Sequence, residues 1–294
     1  MEADQLTHPK WLAARAIIPW LFAAFLLAAA GCTLDLDPTA TSVPASSPLP
    51  PVVAPPAAPL TISPATAAPA ADGWEQIAPG LERRSFLPGN DALSELIAIR
   101  VDPALYTFRA HYRPGEPLSV RAWQDELPNA VLFVNANFFD PQYRITGMLI
   151  ADGVVYGEAY IGRGGMFAVQ NGVPQVRSNT TQPYAGEALE QAVQAFPMLV
   201  LDGVPAFTTP DNDRSRRTIV AQDDLGRIVL MVTPAAGLTL TDLSAYLASL
   251  EIGLVNAFNL DGGRSTMLSL TAGTQPVTIA SFEAVPAVLA VYAR

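Results

Sequence analysis

Asn259, Asp261, Arg264, Ser265 and Thr266 crowd a single turn, where the apolar run Val255–Leu260 meets Asp261-Gly262-Gly263. A carboxylate, an amide, a guanidinium and two hydroxyls at the end of a strand form a polar site. Gly262 and Gly263 permit positive φ and let a backbone approach a ligand without a Cβ in the way. Asp-Gly between apolar runs is equally a hairpin signal, so the spacing alone leaves a ligand site and a tight turn both open. A second polar cluster is built the same way: the apolar run Val131–Val134 leads into Asn135-Ala136-Asn137-Phe138-Phe139-Asp140. There, burial habits place Phe138 and Phe139 in a core, and Asp140 before Pro141 suits the start of a turn.

The rest of the composition narrows the chemistry. The 294-residue chain has two histidines, His8 and His111, and one cysteine, Cys32. An internal disulfide and a multi-cysteine zinc site are therefore impossible. A Ser-His-Asp triad would have to use His111, which no nucleophile-elbow pattern accompanies. Chemistry must come from carboxylates, arginine, tyrosine, amides and hydroxyls. No loop has the spacing of an oxygen-ligand cation site, and neither a metal nor a cofactor is expected. From Cys32 onward 15 Arg face 25 Asp and Glu, which leaves the formal charge of the whole chain, -10. An acidic body without a long basic run argues against nucleic acid as a partner and against electrostatic docking on anionic lipid.

The elements that must position these residues read as an α+β fold with a mixed β-sheet core, long hairpins and a few packed helices. Asp152-Gly153, Asn171-Gly172 and Asp202-Gly203 separate short apolar runs and predict two-residue turns. Helices are predicted over Ser119–Leu127, with Ser119 as N-cap, and over Gly186–Phe196. A third spans Leu240–Glu251, where Thr239 and Asp242 give a capping-box-like start and Leu240, Leu243, Leu247 and Leu250 form one apolar stripe.

The N-terminal quarter is of another kind. His8, Lys10 and Arg15 flank an uncharged apolar run, Ala16–Ala30, that ends in small residues, the pattern of an export signal. Ala29-Ala30-Gly31-Cys32 resembles a bacterial lipobox, with Cys32 as the lipidated residue. Residues 32–73 form a linker of Pro, Ala, Ser and Thr with ten prolines between Thr33 and Gly73, too poor in core-forming residues to fold. The division expected is a signal over 1–31, a linker over 32–73 and a folded body over 74–294. The membrane would be met through a lipid anchor, on the extracytoplasmic side.

Four pieces of the body line up in order: Val134-Asn135-Ala136-Asn137-Phe138-Phe139, then Gly147, then Arg217-Thr218, then Asn259-Leu260-Asp261-Gly262-Gly263-Arg264-Ser265-Thr266. From about Ser94 to Arg294 the chain resembles the phosphodiester glycosidase (NAGPA) family. The family pattern has two glycines before Phe-Phe at the first site and a third glycine in the last. Here Ala136-Asn137 and Arg264 stand in those places and put bulk near the implied pocket.

The resemblance implies hydrolysis at a sugar anomeric carbon whose leaving group is a phosphodiester. Asp261 would act as base or nucleophile, with Asp140 as a partner. Arg217, and Arg264 beside it, would take phosphate oxygens. Asn135 and Asn259 would bind sugar hydroxyls, and Gly262 and Gly263 would offer backbone N–H groups. Asn137, Gly147, Ser265 and Thr266 complete the implied binding set for a sugar-phosphate or glycan substrate. The rival expectation is a carbohydrate-binding envelope lipoprotein of the same fold, its pocket filled by Arg264.

Overall fold

A computed structural model describes residues 73–294. The expected signal 1–31, Cys32 and nearly all of the linker 32–73 lie outside the described residues. Local turn chemistry lays out the hairpins. Asp152, Asn171 and Asp202 take φ of 49°, 52° and 51°, and the glycines after them take 79°, 73° and 78°. Positive φ at both central residues is what a type I′ turn requires.

Three sheets result. The first runs, in spatial order, Glu75–Ala78, Leu81–Phe86, Leu96–Val101, Ile228–Val232, Thr218–Asp223, Leu254–Asn259, Met198–Leu201 and Val204–Pro205. The second is Val154–Tyr156, Leu149–Ala151, Gln191–Ala195, Gly165–Gln170 and Val173–Ser178. The third is Val277–Ile279, Leu268–Leu270, Leu132–Asn135, Ala287–Ala293 and Tyr106–Tyr112. Their ladders pair antiparallel.

One apolar core joins all three, with Ile99, Val220 and Phe258 from the first sheet, Phe167 and Val193 from the second, and Leu132 and Leu289 from the third. The opposite face of the first sheet is covered by the helix Leu240–Ser249 through Leu243 and Leu247. Thr239 caps that helix by accepting from Asp242 N at 3.1 Å. The outer face of the third sheet is covered by the helix Val120–Glu126 through Trp123, and Ser119 caps it.

The balance differs from the expected α+β class. The sheet core and hairpins are present, but the fold is β-dominated, with two α-helices among the described residues. The predicted helix over Gly186–Phe196 is instead the strand Gln191–Ala195, held between two strands of the second sheet. Gln and Ala favour helix locally, but tertiary pairing overrides so weak a preference. The buried glutamines also find backbone partners on other segments: Gln191 Oε1 accepts from Ala110 N of the third sheet at 3.0 Å and Gln194 Oε1 from Tyr160 N at 2.7 Å.

Candidate active site

The strand Leu254–Asn259 does not turn back on itself after Asp261. Gly262 has an extended φ of -138°, a short 3-10 turn follows over Gly263–Ser265, and the chain crosses to the third sheet at Leu268–Leu270. The Asp-Gly-Gly segment is therefore a crossover between sheets, and the hairpin alternative is overturned.

Neighbouring strand ends hold the crossover. Asp261 N donates to Ala136 O at 2.9 Å and Gly263 N to Arg216 O at 2.7 Å. Gly262 lies so close beneath that a Cβ would come within 2.8 Å of Arg216 O. Arg216, almost fully buried, donates to Thr266 O and Ala280 O at 2.8 and 3.0 Å. Asn135 is the central tie: its Nδ2 donates to Asp261 O at 2.7 Å, and its Oδ1 accepts from Thr218 Oγ1 at 2.7 Å and Met267 N at 3.0 Å.

A cavity of about 420 Å³ opens above this floor. Asp261, Asn259 and Arg217 give it polar groups, and Phe138, Phe196 and Phe207 give it an aromatic wall. Phe138 and Phe196 pack with ring centroids 4.8 Å apart. Asn259 Nδ2 donates to Leu260 O at 2.6 Å while its buried Oδ1 has no protein partner, so an acceptor remains beside the cavity. Arg217 is 6% exposed; its Nη2 donates to Asp213 O at 2.7 Å, and Asp213 Oδ2 and Asp211 Oδ2 lie at 3.5 and 3.9 Å.

Asp261 is half-buried, and its exposed part faces the cavity. Loss of solvent pushes its carboxyl up to about 7. Hydrogen bonds from Ser265 and from Gly262 N, the latter at 2.8 Å, pull it down, and the nearby Glu283 charge adds to the rise. The Ser265 hydroxyl oxygen lies 2.9 Å from Glu283 Oε1 and so stands between the two acids, with one proton to donate to either.

A group that titrates near neutrality inside a cavity is suited to proton transfer. It also leaves a mark on stability. Between the ordinary value of 3.8 and about 7, the folded protein holds a proton that the unfolded chain has released. Stability therefore falls as pH rises through that window and levels off above it. Asp261→Asn is neutral at every pH, so its gain in thermal midpoint over the parent should be larger at about pH 8 than at about pH 5. An equal difference at both would mean that Asp261 ionises freely.

The other expected residues divide sharply. Asn259, Asp261, Gly262, Gly263 and Arg217 are brought together on the cavity. Asn135 is not free for a sugar hydroxyl, because both ends of its amide are occupied by the protein. The N–H groups of Gly262 and Gly263 are likewise taken, by Asp261 Oδ1 and Arg216 O. Asn137 donates to Met148 O and Gln194 O, each at 3.0 Å, and is buried away from the lining. Gly147 has φ of 79°, and a Cβ there would fall 2.5 Å from the Tyr160 ring. Thr266 is fully buried and Ser265 nearly so.

Two expectations are corrected. Asp140 is not among the cavity residues; it closes its own loop, accepting from Gln142 N, Arg144 N and Arg144 Nε at 2.9, 3.0 and 2.8 Å. Those bonds, with Arg144 first, hold its carboxyl below the ordinary range. Arg264 does not fill the pocket. Its side chain is 69% exposed and points toward Glu283, with Nε 3.5 Å from Oε2 and Nη2 donating to Phe282 O at 3.3 Å. The feature that favoured a binding-only protein is thereby lost. Phe196, Phe207, Asp213 and Glu283 were not anticipated, and no motif marks them. Glu283 reaches Ser265 across 18 residues.

Comparison with known proteins identifies the family and similar folds. The family model described as phosphodiester glycosidase matches residues 128–292, which include all four motif pieces. The catalytic domain of zebrafish N-acetylglucosamine-1-phosphodiester alpha-N-acetylglucosaminidase, described as auto-inhibited by its pro-peptide, is similar in fold. It has a TM-score of 0.56 and 17% identity, over 75% of this chain and 86% of that one. A hypothetical protein from Synechocystis aligns with a TM-score of 0.49 and 14% identity, over 73% of this chain and 62% of that one. No curated protein matches the chain. The family model spans more than half of the 294 residues, and the chain belongs to the phosphodiester glycosidase family.

Proposed function

We propose that this protein is an exported, membrane-tethered hydrolase of sugar-1-phosphodiester bonds in envelope glycopolymers, glycolipids or their fragments. The observation that carries the reading is the Asp261 carboxyl, titrating near neutrality at the floor of an aromatic-walled cavity. Phe138, Phe196 and Phe207 give a sugar ring an apolar surface to pack against. In this reading ionised Asp261 takes a proton from water as the water oxygen bonds to the anomeric carbon. The bond from that carbon to the phosphodiester oxygen breaks, and a phosphate monoester leaves with the electron pair. A phosphate is a weakly basic leaving group and departs without full protonation, which suits a site whose acidic group serves as the base. Asn259 Oδ1, lacking a partner, would accept from a sugar hydroxyl.

Export and tethering rest on the Ala16–Ala30 run and Cys32 in the lipobox-like sequence. Among the described residues no helix is long and apolar enough to cross a membrane. The test is to incubate the full chain with a panel of sugar-1-phosphodiesters, beginning with N-acetylglucosamine-1-phosphodiesters as the zebrafish relative's name suggests, and to follow release of reducing sugar. The rate should rise through about pH 7 as Asp261 loses its proton. A rate that falls through that pH would make Asp261 an acid and require another base.

A further inference from the structure

The proposed substrate is an anion, yet the cavity's own arginine does not present net positive charge. Arg217 meets Asp213 and Asp211 within ion-pair distance, and Asp261 shares the cavity with it. Backbone N–H groups of Asp213 and Leu240, with Arg217 beyond them, hold the Asp211 carboxyl below its ordinary range, so it is charged at neutral pH. A phosphate approaching Arg217 meets at least as much negative charge as positive.

An uncompensated guanidinium stands one ring away. Arg163 is exposed, and its guanidinium carbon lies 4.3 Å over the centre of Tyr160 and 4.7 Å over that of Phe196, the ring that walls the cavity. No ion pair joins Arg163 to a carboxylate among the described residues. Stacking occupies the faces of a guanidinium and leaves its in-plane N–H donors open for the paired contact that a phosphate offers.

The segment that carries Arg163 is built rather than loose. Asn179, fully buried, donates from Nδ2 to Arg163 O and Gly165 O, each at 3.1 Å. Gln194, also fully buried, donates to Asn179 Oδ1 at 3.2 Å and accepts from Tyr160 N. Buried amides are costly unless hydrogen-bonded, and these two use their bonding capacity largely on this segment. Gly164, at φ of 70°, sits where a Cβ would be 2.1 Å from Ala195 O. Gly147, a residue of the family pattern, leaves room for Tyr160, the ring beneath Arg163.

We infer that Arg163 is the anion-recognising residue of the site. It takes the phosphate oxygens of the substrate at the aromatic wall, while Arg217 hydrogen-bonds and orients inside the cavity. The inference rests on the proposed function for the identity of the anion. It implies selection for a phosphate next to the anomeric carbon over neutral glycosides.

The test is calorimetric binding to the full chain, parent against Arg163→Gln, with N-acetylglucosamine 1-phosphate, inorganic phosphate and N-acetylglucosamine as probes. Arg163→Gln should weaken the sugar phosphate about ten-fold or more and leave the neutral sugar unchanged. Added salt should weaken the parent's binding and affect the variant's little. Arg163→Lys, which keeps the charge without the planar fork, should fall between. Circular dichroism should be the same for all three proteins, because the side chain is exposed. Equal affinity for the sugar phosphate in parent and variant, loss confined to inorganic phosphate, or a parent that binds neither anion would each overturn the inference. Binding does not depend on turnover. An inactive protein that loses the sugar phosphate on Arg163→Gln would retain the anion subsite and refute the hydrolase. An active one with unchanged binding would do the reverse.

Discussion

Asp261→Asn should lower turnover of a sugar-1-phosphodiester by about 10³-fold, within the range of a positioned general base. The substitution keeps the shape of the side chain, and its amide oxygen can still accept from Gly262 N, which now donates to Asp261 Oδ1 at 2.8 Å. The crossover and the cavity should therefore stay in place. What is lost is the ability to gain and release a proton near neutrality. Release of reducing sugar by parent and variant, with near-ultraviolet circular dichroism to compare folding, measures the difference. A loss of less than ten-fold would remove Asp261 from the chemistry and leave Asp213, the other carboxylate on the cavity lining, as the group to replace next.

Asn135→Ala should destabilise the fold by about 3 kcal/mol or more. It strands three groups at once: the buried hydroxyl of Thr218, the buried N–H of Met267 and the carbonyl of half-buried Asp261. Each unsatisfied buried group costs about 1–3 kcal/mol, and the three share one partner, so their costs need not add. The site allows little relief by water, since Asn135 is 1% exposed and Thr218 and Met267 are fully buried. The tie joins the third sheet to the first and anchors the peptide that carries Asp261, so activity should fall along with stability. The shift of the denaturant midpoint at constant slope gives the energy. A change below about 1 kcal/mol would show that the floor of the cavity does not depend on this amide.

Much of the local structure was legible without a fold. Asp152-Gly153, Asn171-Gly172 and Asp202-Gly203 specify their turns because positive φ is a property of the residues themselves. Ser119 and Thr239 mark helix starts because a cap acts within one turn of the chain. The run Val255–Asn259 followed by Asp261 marked a polar site at a strand end, and ordered motifs pointed to the family.

Only the tertiary structure decided which of those polar groups face the cavity. Asp261 and Arg264 are three residues apart, yet one lines the site and the other reaches out to Glu283. Asn135, expected to touch a sugar, is instead the tie beneath Asp261, across 126 residues of chain. Gln191–Ala195 became a strand because two neighbouring strands and distant backbone groups satisfied it there. Phe196 and Phe207 carry no local signal and become a wall only when the first sheet brings its strand ends together. Turns and caps depend on dihedral preference and near neighbours, which a sequence displays. The direction a side chain faces depends on partners from remote segments, and those exist only once the sheets have packed.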